Sequence, residues 1–389
     1  MPWKARRPVD LRVEFVVRMR RGERISDLCR EFGISRKTGH KLKKRFETLG
    51  AEGLQDQSRA PKVIPHRTPP ELMELVLAER RAHPSWGPKK LKHVLEERLG
   101  RAFPSASTIG DALVREGLVE RRRVRGRYKA QGTPHLREAE APNEVWCVDY
   151  KGQFRLGDRS YCYPLTTTDL YSRFLLGCDA MARISDEQAR ESFEYLFRER
   201  GLPLVIRSDN GVPFSSTGLA GLTRLSAYWM RLGIVLNRSR PAHPQDNGQH
   251  ERMHRTLKRE TTRPPRSNLL LQQECFDDFM VEFNEQRPHE ALGMKRPADV
   301  YLPSPRPYPR TLHEPGYPLH DDVIEVTSKG FIHLGRRGKT YLATALTGQP
   351  VGIREEDDGR WLVSFMGLDL GHVATNNTFI PLGPIPPGA

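Results

Sequence analysis

The chain has few cysteines, and none at the spacings that make them ligands. Cys29, Cys147, Cys162, Cys178 and Cys275 lie far apart with no CxxC pair. Neither a cysteine zinc site nor a disulfide framework is indicated, and a reducing cytoplasm fits. No stretch approaches about 18 consecutive apolar residues, which excludes a transmembrane helix. The opening Met1-Pro2-Trp3-Lys4 lacks the apolar core of a secretory signal. Acidic residues are scarce beside basic ones, 48 against 63, for a net charge of +15 and an isoelectric point near 9.8. That imbalance favours a polyanionic partner, most simply nucleic acid.

The scarcity is local. Residues 1–130 hold 32 Lys/Arg and 16 Asp/Glu, whereas residues 131–389 hold 31 and 32. A basic front is suited to gripping phosphates, and an electrically balanced remainder must do something else. The 389 residues allow two to four domains at roughly 100–200 residues each.

In the front, Ile25, Leu28, Cys29 and Phe32 recur at i, i+3, i+4 and i+7, one apolar helix face. Gly33 follows as a left-handed terminator, and Ser35 can cap a second helix to about Phe46. That second helix carries Arg36, Lys37, His40, Lys41, Lys43, Lys44 and Arg45. A short helix, a glycine turn and a basic helix make the helix-turn-helix pattern, with Arg36, Lys37, His40, Lys43 and Lys44 as candidate DNA contacts. A second unit follows Pro61, Pro65, Pro69 and Pro70. Its helices are expected over about 71–81, 89–99 and from Ser105 or Ser107 to about Glu116. Arg121, Arg122, Arg123, Arg125 and Arg127, with Lys129, show no apolar periodicity and read as an arm along a phosphate backbone.

The middle places three carboxylates on an α/β frame. Strands are expected at 145–150, 161–168, 173–180, 204–206 and 234–236, and helices at 185–200, 219–232 and 249–260. This is the order of the ribonuclease H fold. Asp149 lies in the first strand, Asp209 at the carboxyl end of a later one, and Glu251 on the last helix. Between Asp149 and Asp209 stand 59 residues, and between Asp209 and Glu251 stand 41. Metal-dependent phosphodiester cleavage needs an activated water or hydroxyl and a stabilised leaving oxygen. Two Mg²⁺ ions can supply both, and hard cations take carboxylate oxygens. Arg255 and Lys258 follow Glu251 at i+4 and i+7 and could hold the scissile phosphate or adjacent DNA. His250 and His254 line the site or cap surface. His243 and His289 suit structural hydrogen bonds, Asp169 a structural role, and Cys147 the core.

At these residues the chain resembles DDE-type transposases and integrases of the retroviral integrase superfamily, particularly bacterial insertion-sequence transposases. The matching segments are Trp146-Cys147-Val148-Asp149, Thr168-Asp169-Leu170-Tyr171-Ser172-Arg173, Ser208-Asp209-Asn210-Gly211, His243 through Arg252, and Phe283 through Leu292. The resemblance implies that Asp149, Asp209 and Glu251 are the catalytic acids and bind two Mg²⁺ (or Mn²⁺). It implies cutting at transposon ends and joining of the freed 3′-hydroxyl to target DNA. The second spacing is longer than is common among integrases. Asp246, with 36 residues between it and Asp209, is the rival third acid. Glu251 is preferred for its Asn-Gly-x-x-Glu-Arg setting, Asp246 having a capping role open to it.

Pro303, Pro305, Pro307, Pro309, Pro315 and Pro318 mark an extended linker. Five short strands after it (323–326, 331–334, 340–346, 351–354, 361–365) suggest a small β-barrel. The expected organisation is therefore helix-turn-helix domain 1–55, second helix-turn-helix domain with basic arm 66–130, integrase catalytic core 140–302, linker 303–320 and small barrel 321–382. The expected partner is double-stranded DNA, both transposon ends and target. At least two copies would act on it, in the bacterial nucleoid, with no membrane role. The alternatives are a non-catalytic helix-turn-helix regulator or decayed transposase, and a ribonuclease H-fold nuclease for hybrids or junctions.

Overall fold

The computed structural model describes residues 7–56, 68–119, 138–240, 247–335 and 338–383. The arm at 121–127, His243 and Asp246 lie outside the described residues. The chain divides into two compact units, Met1–Thr68 and Pro69–Ala389.

The elements of the first unit among the described residues are all helical: α1 (Pro8–Arg20), α2 (Ile25–Glu31), α3 (Arg36–Leu49) and a closing 3₁₀ turn, Gly50–Leu54. The apolar stripe of α2 buries Leu28 and Cys29 against Phe15, Val16, Leu42 and Leu54. Gly33 ends α2 at φ +64°, and the Ser35 hydroxyl caps α3 by accepting from Thr38 N at 3.2 Å. Gly39 is required by packing rather than by conformation: a Cβ there would collide with Cys29 Sγ. Helix α1 is not legible in the sequence, because its Leu11, Val13 and Val17 stay largely exposed and only Phe15 and Val16 are buried.

The second unit begins with α4 (Pro70–Ala82), α5 (Pro88–Leu99) and α6 (Ala106–Arg115), packed around Val76, Trp86, Leu91, Leu95, Ile109 and Leu113. Ser105, not Ser107, caps α6. A mixed sheet follows, made of β1 (Val145–Tyr150), the short β2 (Phe154–Arg155), β3 (Tyr161–Asp169), β4 (Leu175–Met181), β5 (Val205–Ser208) and β6 (Val235–Arg238). Strand β1 pairs antiparallel with β3 and parallel with β5. β4 flanks β3, and β6 flanks β5 in parallel. The order β4-β3-β1-β5-β6 is that of the ribonuclease H fold. Helices α7 (Asp186–Arg200) and α8 (Arg224–Arg231) cover the face bearing Trp146, Val148 and Ile206. Helices α9 (Gly248–Thr261) and α10 (Leu269–Val281) cover the other, bearing Cys162, Leu175 and Cys178. The helix expected over 219–232 starts later. Ala220 holds φ +49° in a 3₁₀ turn, and Thr223 caps α8 through a reciprocal capping box with Ser226.

The proline-rich segment is extended but anchored. Ser304 N donates to Arg200 O, and the Arg306 guanidinium donates to the carbonyls of Pro203, Leu232 and Gly233.

The barrel expected at the end is not closed. Strands β7 (Asp322–Glu325), β10 (Pro350–Glu355), β11 (Trp361–Phe365), β12 (Leu368–Val373) and β13 (Phe379–Pro381) form an open sheet in the order β13-β12-β11-β10-β7. β8 (Phe331–His333) and β9 (Lys339–Tyr341) make a separate hairpin. Among the described residues the outer strands β7 and β13 do not pair. The run expected as a strand over 340–346 breaks after Tyr341 and turns into a 3₁₀ segment, Thr344–Leu346. Sheet and hairpin share one core, with Val326, Ile332, Leu346, Val351, Val363 and Phe365, and that core is shared with Ala220, Leu222 and Ala227 of the preceding domain. Hydrophobic closure takes the place of a closed ladder.

Candidate active site

Strand register brings the first two acids together. In the parallel β1–β5 pair Val145 faces Val205, Trp146 faces Ile206 and Cys147 faces Arg207. Asp149 and Asp209 each follow the last of these pairs by two residues, so both fall at the carboxyl ends of neighbouring strands. Asp209 lies just past β5 and is exposed, and its Oδ1 accepts from Gly211 N at 3.0 Å. Glu251 stands in the first turn of α9, also exposed.

Asp149 registers the grouping electrostatically. Its carboxyl is pushed up to about 7, first by burial and then by the negative charge of Asp209, with Glu251 adding to it. A buried carboxyl with two further carboxylates close to it belongs to the donor set a divalent cation relieves. The residues present therefore fit the metal.

Two histidines complicate and then sharpen that picture. Asp149, His250 and His254 could offer ligand atoms within 4.8 Å of one another. His250, however, has both nitrogens engaged: Nε2 lies 2.7 Å from Thr166 Oγ1 and Nδ1 2.8 Å from Thr168 Oγ1. Thr166 Oγ1 donates its only proton to Asp149 O at 3.0 Å, so it can only accept from His250 Nε2 and from His254 Nε2 at 2.7 Å. His250 Nδ1 then accepts from Thr168. His254 is left with its unprotonated Nδ1 facing Asp149 Oδ2 at 3.6 Å. Both rings are neutral, since burial pulls His250 down to about 3 and His254 to about 2. The pair pins α9 to β3 and sets the height at which Glu251 projects. A sequence signal existed, histidines at i, i+4 on α9 facing threonines at i, i+2 on β3, but it needs the pairing of elements about 80 residues apart.

Arg255 and Lys258 are exposed on the same side of α9 as Glu251, while Met253 and Leu257 face the core. Arg36, Lys37, His40 and Lys44 are exposed on α3, and Lys43 is half-buried. Asp169 is buried and accepts from Asn143 N at 2.7 Å, Ser172 N at 2.8 Å and Ser172 Oγ at 2.5 Å, a structural knot at the end of β3. Cys147 is buried, and burial pushes its thiol up to about 11.

The segment Phe283–Leu292 holds the second helical module. Buried Arg287 donates to Glu260 Oε1 and Ser85 Oγ, each at 2.6 Å, and to Glu282 Oε2 at 3.3 Å. Trp86 Nε1 donates to Glu282 Oε1 at 2.8 Å, and its ring stacks on His83.

Known proteins match along the same lines. An integrase core domain family matches residues 139–244, and a second integrase core family matches 232–297. A helix-turn-helix domain family matches 11–62, and a homeodomain-like family matches 38–113. The transposase for insertion sequence element IS904 of Lactococcus lactis is 28% identical over 173 residues, 42% of this chain and 62% of its own length. A Gag-Pol polyprotein of baboon endogenous virus is 29% identical over 177 residues, 46% of this chain and 10% of its own. The match thus spans less than two thirds of either relative. The HTLV-2 integrase catalytic core, solved with magnesium, aligns with 42% of this chain and all of its own at 15% identity and a TM-score of 0.34. The fold is defined by the strand order β4-β3-β1-β5-β6. Integrase core matches that run from the first strand through α9, behind helix-turn-helix matches, make this chain similar to the DDE-type transposases and integrases of the retroviral integrase superfamily.

Proposed function

We propose that the chain is a DNA transposase that binds transposon ends, cleaves at the 3′ end and joins that end to target DNA. The observation that carries this reading is the convergence of Asp149, Asp209 and Glu251 on one corner of the sheet, where each raises the cost of ionising the first. These three would hold two divalent ions, Mg²⁺ or Mn²⁺, which when bound polarise the phosphodiester and activate the attacking water or 3′-hydroxyl. Asp149 and Asp209 fix ligand oxygens on rigid strands. Glu251 closes the set from α9, at the height that His250 and His254 impose. Arg255 and Lys258 are offered to the phosphates flanking the cut, and α3 of the first unit, through Arg36, Lys37, His40, Lys43 and Lys44, to the terminal repeat. Pairing two ends requires at least two copies of the chain.

The proposed division of labour is end recognition by 1–55 and by 66–130 with its arm, catalysis by 140–302, spacing by 303–320 and support of the core by 321–382. Among the described residues no helix is long and apolar enough to cross a membrane.

The test is Asp149→Asn on a duplex carrying the inverted repeats that flank the coding sequence. Cleavage and strand transfer should vanish while end binding persists. Retained strand transfer overturns the assignment, and sequence-specific binding without products in the unaltered protein favours a regulator or decayed element.

A further inference from the structure

A second charged site lies beside the first, on the other flank of α9. A cavity of about 550 Å³ opens where α5, the end of β3, α9 and the segment after α10 meet. Lys90, Arg173 and Arg252 line it, with Arg287 already paired to Glu260 and Glu282, against the carboxylates of Asp169 and Glu290. Both carboxylates are committed elsewhere. Asp169 is held by Asn143 and Ser172, and Glu290 Oε2 accepts from Lys89 at 2.7 Å. Among the described residues neither Lys90 nor Arg252 has an ion pair.

The cations crowd one another. Lys90 is pulled down to about 8 by burial and then by the charge of Arg287, with Glu282, Glu290 and Glu260 acting the other way, while Arg173 is lowered by burial and by Arg252. His289, also in the wall, is driven to about 3 by burial and by Lys90, Arg287 and Arg173, and its buried Nε2 has no hydrogen-bond partner. Like charges gathered in a half-enclosed space are relieved by an anion.

We propose that this cavity is a phosphate site that takes a phosphodiester of DNA, gripped jointly by Lys90 of the second helical module and by Arg173 and Arg252 of the catalytic core. The choice of DNA over a free phosphate rests on the reading given under Proposed function; the anion site itself does not. Lys90 comes from a helical module matched by a homeodomain-like family, and Arg252 neighbours Glu251, so a strand held here is held within reach of the acids. The grip would couple the module's position to the seating of DNA at α9.

Full-length protein in EDTA separates this site from the metal chemistry. Lys90 acylation near pH 7.5, read by mass spectrometry, should fall at least about fivefold when duplex DNA is added, and also when tripolyphosphate is added, with Lys329 of the C-terminal region as the internal reference. Lys90→Met and Arg252→Gln should each flatten the dependence of log K on log salt for duplex binding by about 0.9, one phosphate contact apiece. Protection by tripolyphosphate but not by duplex overturns the assignment to DNA. No protection by either, or salt slopes unchanged in both variants, overturns the site. Either failure with cleavage intact leaves the three-acid reading standing, because no metal takes part in the measurement.

Discussion

The two helical modules at the front of the chain use the same kind of charge in opposite ways. The first is a compact unit by itself, and its basic helix α3 turns Arg36, Lys37, His40 and Lys44 to solvent. The second belongs to the same compact unit as the catalytic sheet and spends much of its polar surface on that sheet's neighbours. Lys89 pairs with Glu290, Glu97 with Arg296, Trp86 with Glu282, and Ser85 with Arg287. Net charge counted along a sequence therefore does not say how many cations remain for DNA. A cation that faces solvent is available to a phosphate, whereas one facing a carboxylate of its own chain has already lost part of that capacity.

The comparison breaks most severely at Trp86. Trp86→Ala removes a ring only 2% exposed and takes the indole donor from Glu282 Oε1. We expect a loss of about 3–5 kcal/mol confined to the second unit, with the first unit's unfolding unchanged, as read by hydrogen exchange. Equal loss in both units would refute their independence.

Next is Asp149, the first of the proposed metal-binding acids. Asp149 has its carboxyl raised, so its ionisation costs stability. That cost is absent below its ordinary value near 4 and complete above about 7. Without metal, Asp149→Asn should then be the more stable protein at pH 8, by at most about 4 kcal/mol, and equal to the unaltered one near pH 4. Added Mg²⁺ should raise the melting temperature of the unaltered protein at pH 8 and leave the variant's unmoved. A variant less stable at pH 8 would show that the acids are not crowded.

Gly39→Leu should open the first unit alone by about 1–3 kcal/mol, since the new side chain meets Cys29 and Phe15. Chemical denaturation followed separately in each unit would show it. The smallest effect on stability, within about 0.5 kcal/mol, is expected for Arg36→Gln and Lys37→Gln. Their effect should appear instead as a salt slope for DNA binding shallower by about 0.9 per residue. An unchanged slope would mean that α3 does not touch phosphate.

Much of this architecture was legible because its signals are local. The stripe Ile25–Phe32, the caps Ser35 and Ser105, the strand carrying Asp149 and the strand that ends just before Asp209 each announce themselves within a dozen residues. What stayed hidden depends on distant partners. Helix α10 was not anticipated, and its Phe276 and Phe279 find their burial against β3, β4 and α9. β12 and β13 carry Gly371 and a three-residue edge, too little pattern to read as sheet. The histidines of α9 acquire their role only when Thr166 and Thr168 arrive opposite them. The cations of the cavity come from four separate stretches of chain. The third acid is proposed as Glu251 on its Asn-Gly-x-x-Glu-Arg setting in the first turn of α9, while its rival Asp246 lies outside the described residues.

That choice is also where the account is most directly exposed. The measurement is Mg²⁺-dependent cleavage and joining of a labelled duplex bearing the flanking inverted repeats, by the unaltered protein and by Glu251→Gln. The account predicts 3′-end cleavage and joined products in the first and none in the second, with duplex binding equal in both. Products that persist in Glu251→Gln would contradict it and move the third ligand to Asp246.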